Sequence, residues 1–104
     1  MAVTIEEALA AVPTQLWIGG KQVAASGGGT FPVHNPATGA VLVEVADATA
    51  ADGDAALTAA VEAQAGWAAT PARERAEILN RAADILAARR GHLMAVAGAE
   101  TGKV

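Results

Sequence analysis

The pattern of apolar and polar positions changes period near residue 47. Before it, short alternating runs are interrupted by glycine and proline. After it, apolar residues recur every three or four positions. Period two puts neighbouring side chains on opposite faces of a strand, and period 3.6 gathers them on one helical stripe. The chain is therefore predicted to be strand-rich first and helical afterwards.

Thr4 to Val12 reads as a short helix. Thr4 and Glu7 form a T-x-x-E capping box, in which each side chain satisfies an orphan backbone N–H, and Pro13 ends the run. Gln15–Ile18 and Lys21–Ala24 flank Gly19-Gly20, which predicts a tight hairpin with Trp17 on one face and Leu16 and Ile18 on the other. Ser26-Gly27-Gly28-Gly29 is expected to be a flexible connection. Phe31 to His34 is extended, Asn35-Pro36-Ala37-Thr38-Gly39 is a turn, and Ala40 to Ala46 is a valine-rich strand. Residues 15–46 thus amount to four strands in two hairpins.

A helix follows from about Ala51 to Ala68, capped by Asp47 or Thr49, with Leu57, Ala60, Val61, Gln64 and Trp67 on one stripe. Thr70-Pro71 predicts a second helix start, with threonine as N-cap and proline in the first helical position. Its stripe is Ile78, Ala82, Ile85 and Leu86, backed by Leu79. Gly91 is expected to break it. His92 to Ala99 resumes as a helix with Leu93, Val96 and Ala97 inward. Gly102 supplies a C-cap, and Lys103 suits the negative helix end. No βαβ unit repeats, so these helices have little sheet to lie on and are expected to need partner structure.

Composition sharpens that expectation. The 104 residues are 53% hydrophobic, but much of that fraction is alanine, which removes little area from water. A formal net charge of −4 argues against nucleic-acid and anionic-membrane partners. Arg73, Arg75, Arg81, Arg89 and Arg90 alternate with Glu74, Glu77 and Asp84 as a mixed solvated face. With no cysteine, the chain has no disulfide, thiolate metal site or cysteine nucleophile. Acidic Glu6 and Glu7 and an early Pro13 do not suit a signal peptide, and no apolar run suits a membrane span. A soluble, cytoplasmic protein is expected.

Individual motifs offer little chemistry. Gly27-Gly28-Gly29 lacks the G-x-G-x-x-G spacing and no helix follows it. Gly98 to Val104 has the wrong glycine spacing for a Walker loop, and Val104 stands where a hydroxyl is needed. His34 and His92 have no i, i+4 partner, Asp52 and Asp54 complement a helix dipole, and Ser26 sits in no nucleophile elbow.

The motif series carries more than any single motif. Leu16-Trp17-Ile18-Gly19-Gly20-Lys21, Asn35-Pro36-Ala37-Thr38-Gly39, Trp67, Arg73 to Leu79, and Glu100-Thr101-Gly102-Lys103 follow in an order that resembles the N-terminal region of the aldehyde dehydrogenase superfamily. The stretches Glu44 to Thr49 and Ala63 to Pro71 look most like its succinate-semialdehyde dehydrogenase branch. The resemblance implies an α/β fold: the first part of a cofactor-binding domain, incomplete alone, with an N-terminal helix or arm over 1–14, β-hairpins over 15–46 and helices over 50–102. It implies a longer parent enzyme that oxidises an aldehyde to an acid with NAD or NADP. In that enzyme a cysteine thiolate attacks the aldehyde, and a glutamate-activated water releases the acid. Those groups would lie beyond Val104, so no catalytic or cofactor-binding residue is expected within this chain, and the chain by itself should be inactive. Some family members bind a monovalent cation, and the matching positions are the carbonyl of His34 and the acidic Glu100. A third ligand would come from further along, so no ordered ion is expected here. The implied partners are the remainder of the dehydrogenase chain and further copies in a homo-oligomer. The competing expectation is a non-enzymatic, stand-alone module that self-associates or docks on another chain through its apolar helix faces.

Overall fold

The computed structural model describes residues 3–102, and Lys103, with its expected role at the helix end, lies outside them. Helix α1 spans Ile5–Ala10. Its start is the expected box: Thr4 Oγ1 accepts the Glu7 N–H at 3.1 Å, and Glu7 Oε2 accepts the Thr4 N–H at 3.1 Å. The helix ends before Val12, because Ala11 and Val12 turn back to the Ala8 and Leu9 carbonyls ahead of Pro13.

Strands β1 (Leu16–Ile18) and β2 (Lys21–Val23) pair antiparallel across Gly19-Gly20. Both glycines have positive φ, 63° and 79°, as a two-residue primed turn requires. The alternation is as read, with Leu16 and Ile18 half-buried and Trp17 exposed. Strands β3 (Thr30–His34) and β4 (Val41–Ala46) form a second antiparallel pair, with Val33 opposite Val43 and His34 opposite Val41. The register shifts between Val33 and His34, so Leu42 is the extra residue of a bulge. The connecting turn is an Asx-turn. Asn35 Oδ1 accepts the Ala37 N–H at 2.9 Å, the Asn35 carbonyl accepts Gly39 N–H at 2.7 Å, and Gly39 exits at φ 76°.

The Ser26–Gly29 connection is fixed rather than flexible. Ser26 is hydrogen-bonded to the start of the next helix, Gly28 N–H bonds the Ala25 carbonyl, and the Gly29 carbonyl accepts Asp47 N–H. A triple glycine signals freedom in the unfolded chain, but specific partners remove that freedom here.

Helix α2 spans Ala50–Ala69, with Thr49 rather than Asp47 as N-cap. Helix α3 spans Ala72–Ala88, and α4 spans Arg90–Thr101. Thr70 does not cap α3: its hydroxyl donates back to the Gly66 carbonyl at 2.8 Å, closing α2. Pro71 is the α3 N-cap, without a side-chain bond, and Arg75 Nε donates to the Thr70 carbonyl at 3.1 Å. The helix break falls at Arg89, two residues before Gly91. Gly91 lies inside α4 and makes room for the N-terminal arm, because a Cβ there would stand 3.0 Å from Val3 Cγ2. Gly102 ends α4 in the left-handed conformation, φ 72°, as expected.

The inward face of α4 also differs from the expected one. Ala99 is buried and Ala95 and Val96 half-buried, whereas Leu93 and Ala97 are exposed. Helix α1 packs on α4, and Val3 and Ile5 border one cleft with Ala95, Gly98 and Ala99.

Half-buried Leu9, Val12, Val33, Val43, Val45 and Val96, from α1, α4 and the β3–β4 pair and the residues beside them, line a cleft of about 140 Å³. Among the described residues the buried apolar side chains are all alanine: Ala8, Ala25 and Ala99. Helix α3 contributes none, and Leu57, Val61, Ile78, Leu79, Ile85 and Leu86 stand exposed. The radius of gyration is 16.8 Å, against roughly 13 Å for a compact chain of this length. The chain thus forms local elements without closing them round a common core.

Candidate functional site

The two residues singled out for a monovalent cation lie beside a turn and a helix end that meet. His34 ends β3 at the bulge and is exposed. Glu100 lies in the last turn of α4, also exposed, and lines a cleft of about 140 Å³ together with Val33, the neighbour of His34. The turn after His34 meets the end of α4 directly: a Cβ on Gly102 would stand 3.1 Å from Pro36 Cγ. Asn35 and Gly102 line a second, separate cleft of about 370 Å³. The fold therefore brings the His34 turn to the Glu100 end of α4. Among the described residues no three His, Asp or Glu side chains converge on one point.

A cleft of about 780 Å³ opens between α1 and α4. Ala8, Val12, Leu93 and Val96 give it apolar walls, and Arg89, His92 and Glu100 edge it. His92 thus faces a different cleft from the one beside Val33, so the two histidines do not form one site.

The most densely bonded polar group lies elsewhere. Asp52, 8% exposed, accepts the Ser26 N–H on both carboxylate oxygens, at 3.0 and 3.2 Å. It also accepts the Thr49 N–H at 2.9 Å and the Thr49 hydroxyl at 3.1 Å. The Thr49 backbone bond, then the Ser26 backbone bond, hold its carboxyl below the ordinary value of 3.8. Burial pushes the other way, and the two hydroxyls add to the lowering. Ser26 Oγ is 2.7 Å from Thr49 Oγ1, which places a hydroxyl, and no imidazole, against the serine. This cluster is a cap and a tether. On sequence, Asp52 is expected to complement the helix dipole, and the T-x-x-D spacing from Thr49 is the local signal that could have found its capping half. Its bond to Ser26 joins residues 26 positions apart and left no local signal.

The glycine run of the link does not open a helix. Both strand pairs are antiparallel, and Gly27–Gly29 leads into strand β3 instead of a helix N-terminus. No helix among the described residues is long and apolar enough to cross a membrane.

With the elements in place, their arrangement can be compared with known proteins. The aldehyde dehydrogenase family matches residues 23–104. A solved structure from Burkholderia cenocepacia, assigned as an aldehyde dehydrogenase, is 47% identical and covers 73% of this chain, with a TM-score of 0.71. HpcC from Thermus thermophilus is 33% identical over 91% of this chain, with a TM-score of 0.86. This chain spans only 16% and 19% of those two structures. Two antiparallel hairpins followed by helices reproduce the N-terminal part of that fold, and the chain belongs to the aldehyde dehydrogenase family.

Proposed function

We propose that this chain is the N-terminal portion of an NAD- or NADP-dependent aldehyde dehydrogenase and supplies scaffold rather than chemistry. The observation that carries the reading is the family match over residues 23–104, combined with helices whose apolar stripes lie open. A segment that is part of a larger domain leaves such stripes for the rest of that domain to cover. The chain has no cysteine, so a thiolate nucleophile has to come from elsewhere in the parent protein. Because the glycine run does not open a helix, the cofactor is also held elsewhere, and the isolated chain does not turn over aldehyde.

The finer reading is a succinate-semialdehyde dehydrogenase. It rests on the sequence of Glu44 to Thr49 and of Ala63 to Pro71. The carbonyl of His34 and the carboxylate of Glu100 are proposed as two ligands of a monovalent cation completed by the remaining chain. The contact between the turn after His34 and the Gly102 end of α4 supports that pairing. The parent is proposed to be a cytoplasmic homo-oligomer.

Specificity is tested on the protein of the complete reading frame. The kcat/KM for succinate semialdehyde is expected to exceed that for a neutral aldehyde of similar length by about tenfold or more. Equal values would reject the succinate-semialdehyde reading and leave the family in place. The second reading, a non-enzymatic module that docks through its helix faces, is favoured by the exposed Ile78, Leu79, Ile85 and Leu86. A reading frame that stops at Val104 would select it.

A further inference from the structure

The hairpin half and the helical half of the chain touch sparingly, and the side-chain hydrogen bonds described between them gather at Ser26, Thr49 and Asp52. Asp52 binds Thr49 within α2's own first turn and Ser26 in the link between the two hairpins. Side-chain hydrogen bonds between those two parts run from Ser26 to Asp52 and to Thr49, among the described residues. The link carries three successive glycines, so without a tether it has the greatest backbone freedom in the chain. It lies close on the helix start, where a Cβ on Gly27 would stand 3.3 Å from Thr49 Cγ2.

We propose that Asp52 acts as a clasp: it makes the first turn of α2 and the Ser26–Gly29 link open and close as one unit, and so sets how the helices are carried relative to the β1–β2 hairpin. A capping residue with a single role would secure only its own helix. Here the same carboxylate closes the helix terminus and a glycine strap together, and losing it loosens both, although the Ser26–Thr49 hydroxyl contact and the Asp47–Gly29 backbone bond remain. Because α2 and α3 carry the open apolar stripes, the clasp also fixes the direction in which those stripes are presented. The inference is independent of the proposed enzymatic reading, because it concerns bonds within this chain.

Amide hydrogen exchange, followed by mass spectrometry on the protein as expressed from its own reading frame, tests the clasp. In Asp52→Ala, peptides covering 24–30 and 48–54 are both expected to exchange roughly tenfold faster or more, while those covering 5–12 and 75–88 are unchanged. Asp52→Asn keeps an acceptor oxygen, so it should show a smaller increase in the same two segments. Asp54→Ala removes a neighbouring acidic side chain of the same helix and should change neither. Faster exchange in 48–54 alone would reduce Asp52 to an ordinary cap and overturn the proposal. Faster exchange across the whole chain in both Asp52 variants would overturn it too, since the residue would then support the fold at large.

Discussion

Gly102 and Pro36 meet so closely that a side chain at Gly102 would have its Cβ 3.1 Å from the proline ring. The contact joins the left-handed end of α4 to the Asn-Pro turn that follows β3. Gly102→Ala therefore faces two costs, a strained φ of +72° and a ring that cannot swing away. Gly39→Ala meets only the first, with φ +76° and open space around it. The strain alone costs about 1–2 kcal/mol. Denaturant unfolding should show Gly39→Ala destabilised by that amount and Gly102→Ala by more. Equal losses would mean the helix end does not rest on the turn.

The capping box of α1 gives an independent measure of how firmly the N-terminal helix is held. Thr4→Ala removes the acceptor for the Glu7 N–H and should cost about 0.5–2 kcal/mol. Thr4→Ser retains the hydroxyl and should restore most of it. A thermal melt that is the same for all three proteins would show that α1 does not contribute to the cooperative unit.

Asp52 predicts the direction of the acid response. Its folded carboxyl titrates below the ordinary 3.8 because two backbone N–H groups and two hydroxyls favour the charged form. A group of lowered pKa stabilises the fold above its unfolded value, and that contribution is lost as pH falls through the folded one. The Asp52-dependent part of stability should be full at pH above about 5 and fade below 3.8. Wild type and Asp52→Asn should therefore converge in stability as the solution is acidified. A gap that widens on acidification would contradict the bonding seen at Ser26 and Thr49.

The open stripe of α3 makes a contrasting prediction. Ile78 and Ile85 are 42% and 51% exposed, so little burial is lost when either becomes polar. Ile85→Ser should change the stability of the isolated chain by less than about 0.5 kcal/mol. In the parent protein the same change should lower the yield of folded enzyme severely, because a covered isoleucine replaced by a hydroxyl loses burial and leaves a polar group to satisfy. A large destabilisation of the isolated chain would mean that Ile85 already has a core around it.

Much of this local structure could be read from the sequence because its causes are local. Thr4 with Glu7, Gly19 with Gly20, Asn35 through Gly39, and Gly102 all act within a few residues of themselves. Thr70 misled for an instructive reason. A threonine before proline fits a helix start, but its hydroxyl found the Gly66 carbonyl of the helix it was leaving. The face that α4 turns inward depends on α1, distant in sequence, which packs on it. The same distance hid the Ser26–Asp52 bond. The candidate ligands His34 and Glu100 came from family resemblance, and no rule of spacing connects a strand end to a helix end 66 positions later.

Aldehyde-dependent reduction of NAD or NADP, compared between the 104-residue chain and the protein of its complete reading frame, tests the central claim most directly. The chain by itself should give no turnover, and the complete protein should oxidise aldehyde to acid. Turnover by the 104-residue chain would contradict the account, because a chain without cysteine would then be doing the chemistry assigned to the rest of the enzyme.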